Sequence, residues 1–197
     1  MNIFLDCGTH YFEGLLRLVR KYQMDEMWKM FTFEGSPDIF ASKLFVDALK
    51  VLSTQYNIVA ENKCVGGVDE EVEFVSPKSQ LIGLRGSVGN YFDIPPEDCL
   101  SRNVQQFSLA TFIKRNFSKK DFIVCKLDIE GSEFRTVEEL FETGAMSYIN
   151  DIYVEWHVEN RWGHQWPTPW STEKIESAIK TKKRLEECRS VRYREWA

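Results

Sequence analysis

The sequence lacks the features that mark several large classes of protein. No apolar run approaches the roughly 20 residues of a membrane-spanning helix, and no basic leader precedes the first apolar residues. The five cysteines are odd in number and form no Cys-x-x-Cys pair, which disfavours a disulfide framework and a zinc site. Positive charge is in deficit, and the net charge of −5 opposes binding to nucleic acid phosphates. We therefore expect a cytoplasmic protein with reduced thiols that binds neither nucleic acid nor membranes.

What is present suits one globular domain of ordinary size. The chain has 197 residues, of which 43% are hydrophobic and 28% are charged, so it can bury a core of its own. We predict a single domain over residues 1–197. Because strand-like residues follow Met1 at once, we keep the alternative that the chain is a module cut from a longer protein, with other domains as partners.

Apolar runs alternate with helical patterns in the first third of the sequence. The runs 3–5, 30–33 and 56–60 each end in polar residues or glycine, and the segments between them carry apolar residues at helical spacing. Such alternation predicts a parallel sheet with helices on both faces. The expected fold class is therefore α/β, with a Rossmann-like, doubly wound and mostly parallel sheet.

The middle of the chain departs from this alternation. Residues 71–75 have a period of two, which is typical of a half-exposed hairpin strand. Residues 76–103 have no sustained period and are rich in glycine and proline. Loops of this length are usually functional lids or disordered segments, and the apolar residues in this one favour a lid-like insertion. A helix over about 109–117 is predicted to follow.

The chain is organised around the run from Ile123 to Asp128, which continues into Glu130 and a glycine. A β-branched apolar run that ends in acid and glycine predicts a buried parallel strand with charge at its carboxyl end. Ligands bind at that edge of open α/β sheets. Lys126, Asp128 and Glu130 are two residues apart, so an extended chain places their side chains on one face. A helix up to about residue 143 is expected next.

A later strand, predicted at 152–157, has the same design and ends in Glu155, Trp156 and His157. An aromatic loop follows it, and four tryptophans are expected to crowd one rim: Trp156, Trp162, Trp166 and Trp170. Tryptophans more often serve packing, but their flat faces also suit a sugar ring. A charged helix and an edge strand at 191–194 are predicted to end the chain.

The first strand ends in a turn that fits a nucleotide site only in part. A dinucleotide-binding turn needs three glycines, and here His10 and Phe12 stand where glycines after Gly8 are needed. An adenosine ligand without phosphates, such as S-adenosylmethionine, relaxes that requirement. Asp6 and Gly8 could then receive its amino-acid part, and Glu34 its ribose. On local spacing alone, it is equally favoured that Asp6 and Glu34 are ordinary carboxylates at the ends of strands.

Four motifs resemble those of a known family, in the family's order. Residues 124–133 (VCKLDIEGSE) resemble the signature lKiDvEGaE of FkbM-type S-adenosylmethionine-dependent methyltransferases. Residues 5–10 (LDCGTH) resemble the first motif DvGAn, residues 33–37 (FEGSP) resemble fEP.p, and residues 154–157 (VEWH) resemble vEvH. The chain departs from the family pattern at Phe12, Gly35 and Ala110.

The resemblance implies a class I methyltransferase fold and transfer of a methyl group from S-adenosylmethionine to oxygen. The implied acceptor is a small molecule or glycan, most often a sugar hydroxyl such as that of a deoxyhexose. The predicted cofactor-binding residues lie at the ends of the first three strands: Asp6, Gly8, Thr9, His10, Glu34, Gly35, Ser36 and Asn62.

A hydroxyl must lose its proton during such a transfer, so a general base is expected. His157 is the first candidate because its unperturbed pKa lies near neutrality; Asp128 is the second, and Glu155 could orient His157 from the same face. The predicted catalytic residues are Lys126, Asp128, Glu155 and His157. A divalent metal is an alternative that we do not predict. Its candidate ligands would be Asp128, Glu130, Glu155 and His157.

Two other classes of function stay open. A nicotinamide-dependent oxidoreductase would also place Glu34 on a ribose, but it needs the phosphate-binding glycines that the first turn lacks. A catalytically silent Rossmann-like binding module, for glycan recognition or scaffolding, would keep the fold without the chemistry. Turnover would distinguish the enzyme from the silent module.

Overall fold

The computed structural model describes residues 1–78, 86–89, 95–157 and 172–196. The strands in chain order are β1 (Asn2–Cys7), β2 (Trp28–Phe33), β3 (Asn57–Glu61), β4 (Cys64–Gly66), β5 (Glu70–Pro77), β6 (Ser87–Val88), β7 (Cys99–Ser108), β8 (Phe122–Leu127), β9 (Asp151–Val154) and β10 (Arg192–Glu195). The helices are α1 (Glu13–Tyr22), α2 (Pro37–Phe40), α3 (Lys43–Leu52), α4 (Leu109–Asn116), α5 (Glu133–Glu142) and α6 (Thr172–Glu186). No helix in these ranges is long and apolar enough to cross a membrane.

The main sheet has six strands in the order β10-β9-β8-β1-β2-β3, and every neighbouring pair is parallel. The first three strands proceed outward from β1 in one direction, and the last three proceed from β8 in the other. The order therefore reverses between β1 and β8, where Asp6 pairs in register with Lys126. In open α/β sheets this switch point is where ligands bind. The predicted Rossmann-like fold class is confirmed.

Both faces of the sheet are buried, because successive side chains of a strand point to opposite faces. Ile3 and Leu5 of β1 pack into a core cluster with side chains of α4, α5 and α6. Phe4 and Val124 face the other way, into a cluster with side chains of α1 and α3. Burial on both faces explains the continuous apolar runs of β1 and β8.

A second sheet follows the order β4-β7-β5-β6. The hairpin strand predicted at 71–75 is confirmed as part of β5, which pairs antiparallel with β7 from Glu70–Gln106 to Pro77–Cys99. The irregular insertion predicted at 76–103 is wrong at both ends, since β5 runs to Pro77 and β7 starts at Cys99. Residues 79–85 and 90–94 lie outside the described residues, so the lid stays a prediction.

Several element boundaries differ from the sequence-based expectation. The helix after β2 is two helices, because the Ser42 hydroxyl accepts from Phe45 N and starts α3 anew. The strand predicted at 152–157 ends at Val154, and the helix after β8 starts at Glu133. The edge strand near 191–194 is confirmed as β10. The aromatic loop, with Trp162, His164, Trp166 and Trp170, lies outside the described residues.

Candidate active site

The turn after β1 brings the two halves of the sheet into close contact. Gly8 N and Thr9 N both donate to Phe33 O, at 2.9 and 3.1 Å, which fastens the turn to β2. Gly8 has a φ of +78°, and a Cβ on it would lie 1.7 Å from Asp128 O. Only glycine suits a position that is both left-handed and this close to another backbone. The turn therefore sits directly against the end of β8.

Lys126 ties the ends of β1 and β8 together. Its Nζ lies 3.3 Å from Asp6 Oδ1 and 3.2 Å from Asp128 Oδ2, and it donates to Gly8 O at 2.8 Å. Burial lowers the pKa of Lys126, but Asp128 and Asp6 outweigh burial and raise it. The ammonium is thus held in its charged form and anchors the switch point, while the catalytic role expected of Lys126 stays a prediction.

Asp6 and Thr9 form the buried side of the Lys126 ion pair. Asp6 has no exposed surface, and the Thr9 hydroxyl donates to its Oδ2. Burial raises the pKa of Asp6, against the opposing effect of Lys126. Because Asp6 offers no surface to a ligand, the expectation that it contacts a cofactor directly is not met. Its observed role is to hold Lys126 and Thr9.

Glu34 organises the neighbouring turn at the end of β2. Its Oε2 accepts from His10 N at 2.9 Å and its Oε1 from Ser36 N at 2.8 Å, while Asn62 Nδ2 donates to Glu34 O at 2.7 Å. Burial raises the pKa of Glu34 to about 7, although these backbone bonds lower it. The structure therefore brings four of the predicted cofactor residues together, since Glu34, His10, Ser36 and Asn62 meet at one edge.

Two departures from the family pattern have packing reasons. Phe12 adopts a φ of +71°, a conformation that suits glycine, yet its ring is buried against Phe45 with centroids 4.7 Å apart. The side chain is therefore used for the core under α1. At Gly35, a Cβ would lie 2.9 Å from Cys64 Sγ and 3.0 Å from the Phe74 ring. Glycine here lets the second sheet approach the end of β2.

Glu133, which the sequence analysis left out of the site, is its most connected carboxylate. The side chain is fully buried. Oε1 accepts from Ile129 N at 2.8 Å and Oε2 from Gly131 N at 3.0 Å. His157 Nδ1 lies 2.8 Å from Oε1, and because a carboxylate only accepts hydrogen bonds, Nδ1 carries a hydrogen. The signal was present in the sequence, as an acid at the first position of a helix.

His157 is held between carboxylates. Its Nε2 lies 3.3 Å from Glu130 Oε2 and 4.0 Å from Glu155 Oε1. Burial lowers the pKa of His157, but Glu133 and Glu130 outweigh it and raise the pKa to about 10. The ring is therefore protonated near neutrality, and the premise on which His157 was expected to be the base does not hold. Glu133, not Glu155, orients the ring.

Glu130 and Glu155 complete this cluster. Glu130 has a φ of +52°, and its side chain is 23% exposed. Burial raises its pKa to about 7; His157 lowers it, and the negative charge of Asp128 adds to the rise. The pKa of Glu155 is also raised, by burial and then by Asp128. A carboxylate such as Glu130, with a pKa of about 7, takes up a proton near neutral pH, which suits a general base.

The metal alternative has a partial basis in the structure. In the part of the chain that is described, ligand atoms of Asp128, Glu130 and His157 lie within 4.8 Å of one another. Two carboxylate oxygens and an imidazole nitrogen could hold a divalent cation. His157 Nε2, however, already faces Glu130 as an ion pair. The groups thus serve as one another's partners.

Trp156 does not belong to an exposed aromatic rim. It is 8% exposed, its ring lies 4.6 Å from that of Phe134, and Nε1 donates to the Tyr193 hydroxyl at 2.8 Å. It therefore packs β9 against α5 and β10. The expectation that Trp156 offers a platform to a sugar is wrong.

The chain was compared with known proteins. The family model described as Methyltransferase FkbM domain matches residues 6–188. The crystal structure of Methyltransferase FkbM from Methylobacillus flagellatus KT is similar at 12% identity, with a TM-score of 0.40; the match covers 74% of this chain and 31% of that one. The chain thus spans less than a third of that protein. No curated protein matches the chain.

Proposed function

Because the chain belongs to the Methyltransferase FkbM domain family, we propose that it is an S-adenosylmethionine-dependent O-methyltransferase. The proposed acceptor is a hydroxyl of a small molecule or glycan, such as a deoxyhexose. One observation carries the proposal: polar groups from the ends of β1, β2, β8 and β9 meet beside the topological switch point. Ligand sites of open α/β sheets occupy this position.

The edge at β1 and β2 would hold the cofactor, which supplies a methyl group on a positively charged sulfur. Glu34 fits its ribose, because each carboxylate oxygen can accept a second hydrogen bond beyond those from His10 N and Ser36 N. The turn after β2 is fixed by the hydrogen bond from Asn62 Nδ2 to Glu34 O. The turn after β1 is fixed by the hydrogen bond from Gly8 N to Phe33 O. A rigid turn would orient the ligand without further ordering.

The edge at β8 and β9 would hold the acceptor. The side chains of Asp128, Glu130 and Glu155 are each about a quarter exposed, at 25%, 23% and 28%. Exposed carboxylate oxygens accept hydrogen bonds from hydroxyl groups, as a sugar presents them. Holding the hydroxyl in line with the transferred group supplies much of the rate of such a reaction. The same carboxylates are at hand to take its proton.

We also propose that the protein works in the cytoplasm. All five cysteines are free thiols, and Cys7, Cys64 and Cys125 are buried in strands. Free thiols suit a reducing compartment, where disulfides are rare. Fractionation of cells that express the full-length protein would test this assignment, and recovery outside the cytoplasm would contradict it.

The test of function combines calorimetry with a methyl-transfer screen. Binding of S-adenosylmethionine is measured first, and a radiolabelled methyl group is then followed onto sugars, phenols and carboxylates, with and without chelator. Transfer to a sugar hydroxyl supports the proposal. Binding without any transfer supports the silent binding module, and loss of transfer with chelator supports a metal. Absence of binding overturns the cofactor assignment.

A further inference from the structure

Glu133 fixes the turn on which Glu130 stands. Its two carboxylate oxygens accept from Ile129 N and Gly131 N, the residues on either side of Glu130. Glu130 is thereby held with a φ of +52°, a left-handed conformation that is unfavourable for a residue with a side chain. The buried carboxylate of Glu133 therefore fixes the backbone of Glu130 in a conformation that this residue does not favour by itself.

His157 fixes the side chain of the same residue. Its Nδ1 is 2.8 Å from Glu133 and its Nε2 is 3.3 Å from Glu130 Oε2. Both ring nitrogens thus face carboxylates, and an imidazolium held between them has no lone pair for a substrate proton. The ring can hold Glu130 in place but cannot take a proton itself.

The other carboxylates of the cluster are held differently. Asp128 lies 3.2 Å from Lys126 Nζ, so it is already the ion-pair partner of that buried ammonium. Glu155 is 4.0 Å from His157 Nε2, beyond hydrogen-bond distance, so this ring does not hold its side chain by a hydrogen bond. The charged groups that act on Glu130 itself are His157, Asp128, Glu133 and Glu155.

We propose that Glu130 is the general base of the methyl transfer, and that Glu133 and His157 are the residues that position it. The inference rests on the proposed function. In the step, the acceptor O–H bond breaks and its proton moves to a carboxylate oxygen of Glu130. The hydroxyl oxygen forms a bond to the methyl carbon, and the carbon–sulfur bond breaks with its electron pair going to sulfur. The products are a methyl ether, a neutral thioether and one proton, which Glu130 releases to solvent.

The experiment compares matched amide variants in the full chain with S-adenosylmethionine and an acceptor found in the screen. Glu130→Gln keeps the shape and removes the base, so kcat should fall by about 10²–10⁴-fold, with cofactor affinity within twofold of the native value. Asp128→Asn changes a group beside the acceptor but leaves the base in place, so its loss of kcat should be smaller than that of Glu130→Gln. Glu142→Gln, exposed at the end of α5, is the control and should leave kcat unchanged.

The positioning role has its own readout. In Glu133→Gln the base is still present but less well held, so kcat should fall by about tenfold or more. The same change made in a protein that already carries Glu130→Gln should cause no further loss of kcat. His157→Gln removes a cation beside Glu130, so the rise of kcat with pH should move to higher pH. Equal losses in both backgrounds, or an unmoved pH profile, would contradict positioning.

Three results separate the possible failures. Native-like kcat in Glu130→Gln overturns the assignment of the base, and a large loss confined to Asp128→Asn moves that role to Asp128. If a thermal unfolding scan shows that Glu130→Gln is not folded, Glu130→Asp is used instead. A native-like kcat in Glu130→Asp, whose carboxylate is displaced by the shorter side chain, also counts against the proposal. A wild type that binds the cofactor but methylates no acceptor overturns the proposed function and this inference with it.

Discussion

Replacing Glu133 by glutamine is expected to lower the pKa of His157 by about two pH units. In the native structure this pKa is about 10, because Glu133 and Glu130 outweigh the opposing effect of burial. Unit charges 2.8 Å apart attract by about 6 kcal/mol at an effective dielectric constant near 20. Each charge is spread over two atoms, and Glu130 still attracts the imidazolium in the variant. We therefore assign half of this energy to the loss of Glu133, about 3 kcal/mol, which corresponds to a fall in the pKa of about two pH units.

The assay is an NMR titration of the imidazole of His157. The chain has three histidines, so the signal can be assigned by its loss in His157→Gln. Glu142→Gln is the matched control and should leave the titration in place. A pKa that stays near 10 in Glu133→Gln would show that the proton is held by other groups. A native pKa near the ordinary 6.5 would show that the ion pair with Glu133 does not form in solution.

Three further predictions concern the two turns at the switch point. Gly8→Ala should lower the free energy of unfolding by more than about 2 kcal/mol, since left-handed strain adds to the clash with Asp128 O; urea unfolding measures it, and a loss under 1 kcal/mol contradicts it. Lys126→Met leaves Asp6 buried without its cation and should cost about 3–5 kcal/mol, much of it recovered by adding Asp6→Asn. Glu34→Ala should weaken cofactor binding by about 1–3 kcal/mol in calorimetry, and unchanged affinity in a folded variant would place the ribose elsewhere.

The sequence was sufficient to predict the main sheet. Continuous apolar runs such as 123–127 can only be buried on both faces, and helical spacing between such runs implies parallel strands, so the parallel sheet and the edge that carries the candidate site followed from general rules. The strand β7 was missed for the opposite reason. Its polar side chains are satisfied across the pair, where Glu71 accepts from Asn103 and Gln105, and no apolar period marks it.

The identity of the residues at the site was predicted better than their roles. Spacing predicts that Lys126 and Asp128 share a face, and they do form an ion pair. It does not predict that Lys126 is buried and permanently charged, or that His157 meets a buried carboxylate from the next helix. Such roles depend on burial and on partners distant in sequence. A pKa expected from the residue type alone therefore failed for His157.

The position of β1 between two halves of the sheet also has a consequence for folding. β1 pairs with β2 within about 25 residues of chain, but its other neighbour, β8, comes much later, and Lys126 and Gly8 are 118 residues apart. During synthesis β1 therefore has one unpaired edge until β8 has been made, and until then the Asp6 carboxylate lacks Lys126. Open edges of this kind pair with other chains. A fragment that ends at residue 120 should aggregate, and a peptide of residues 121–157 supplied in excess should reduce that aggregation.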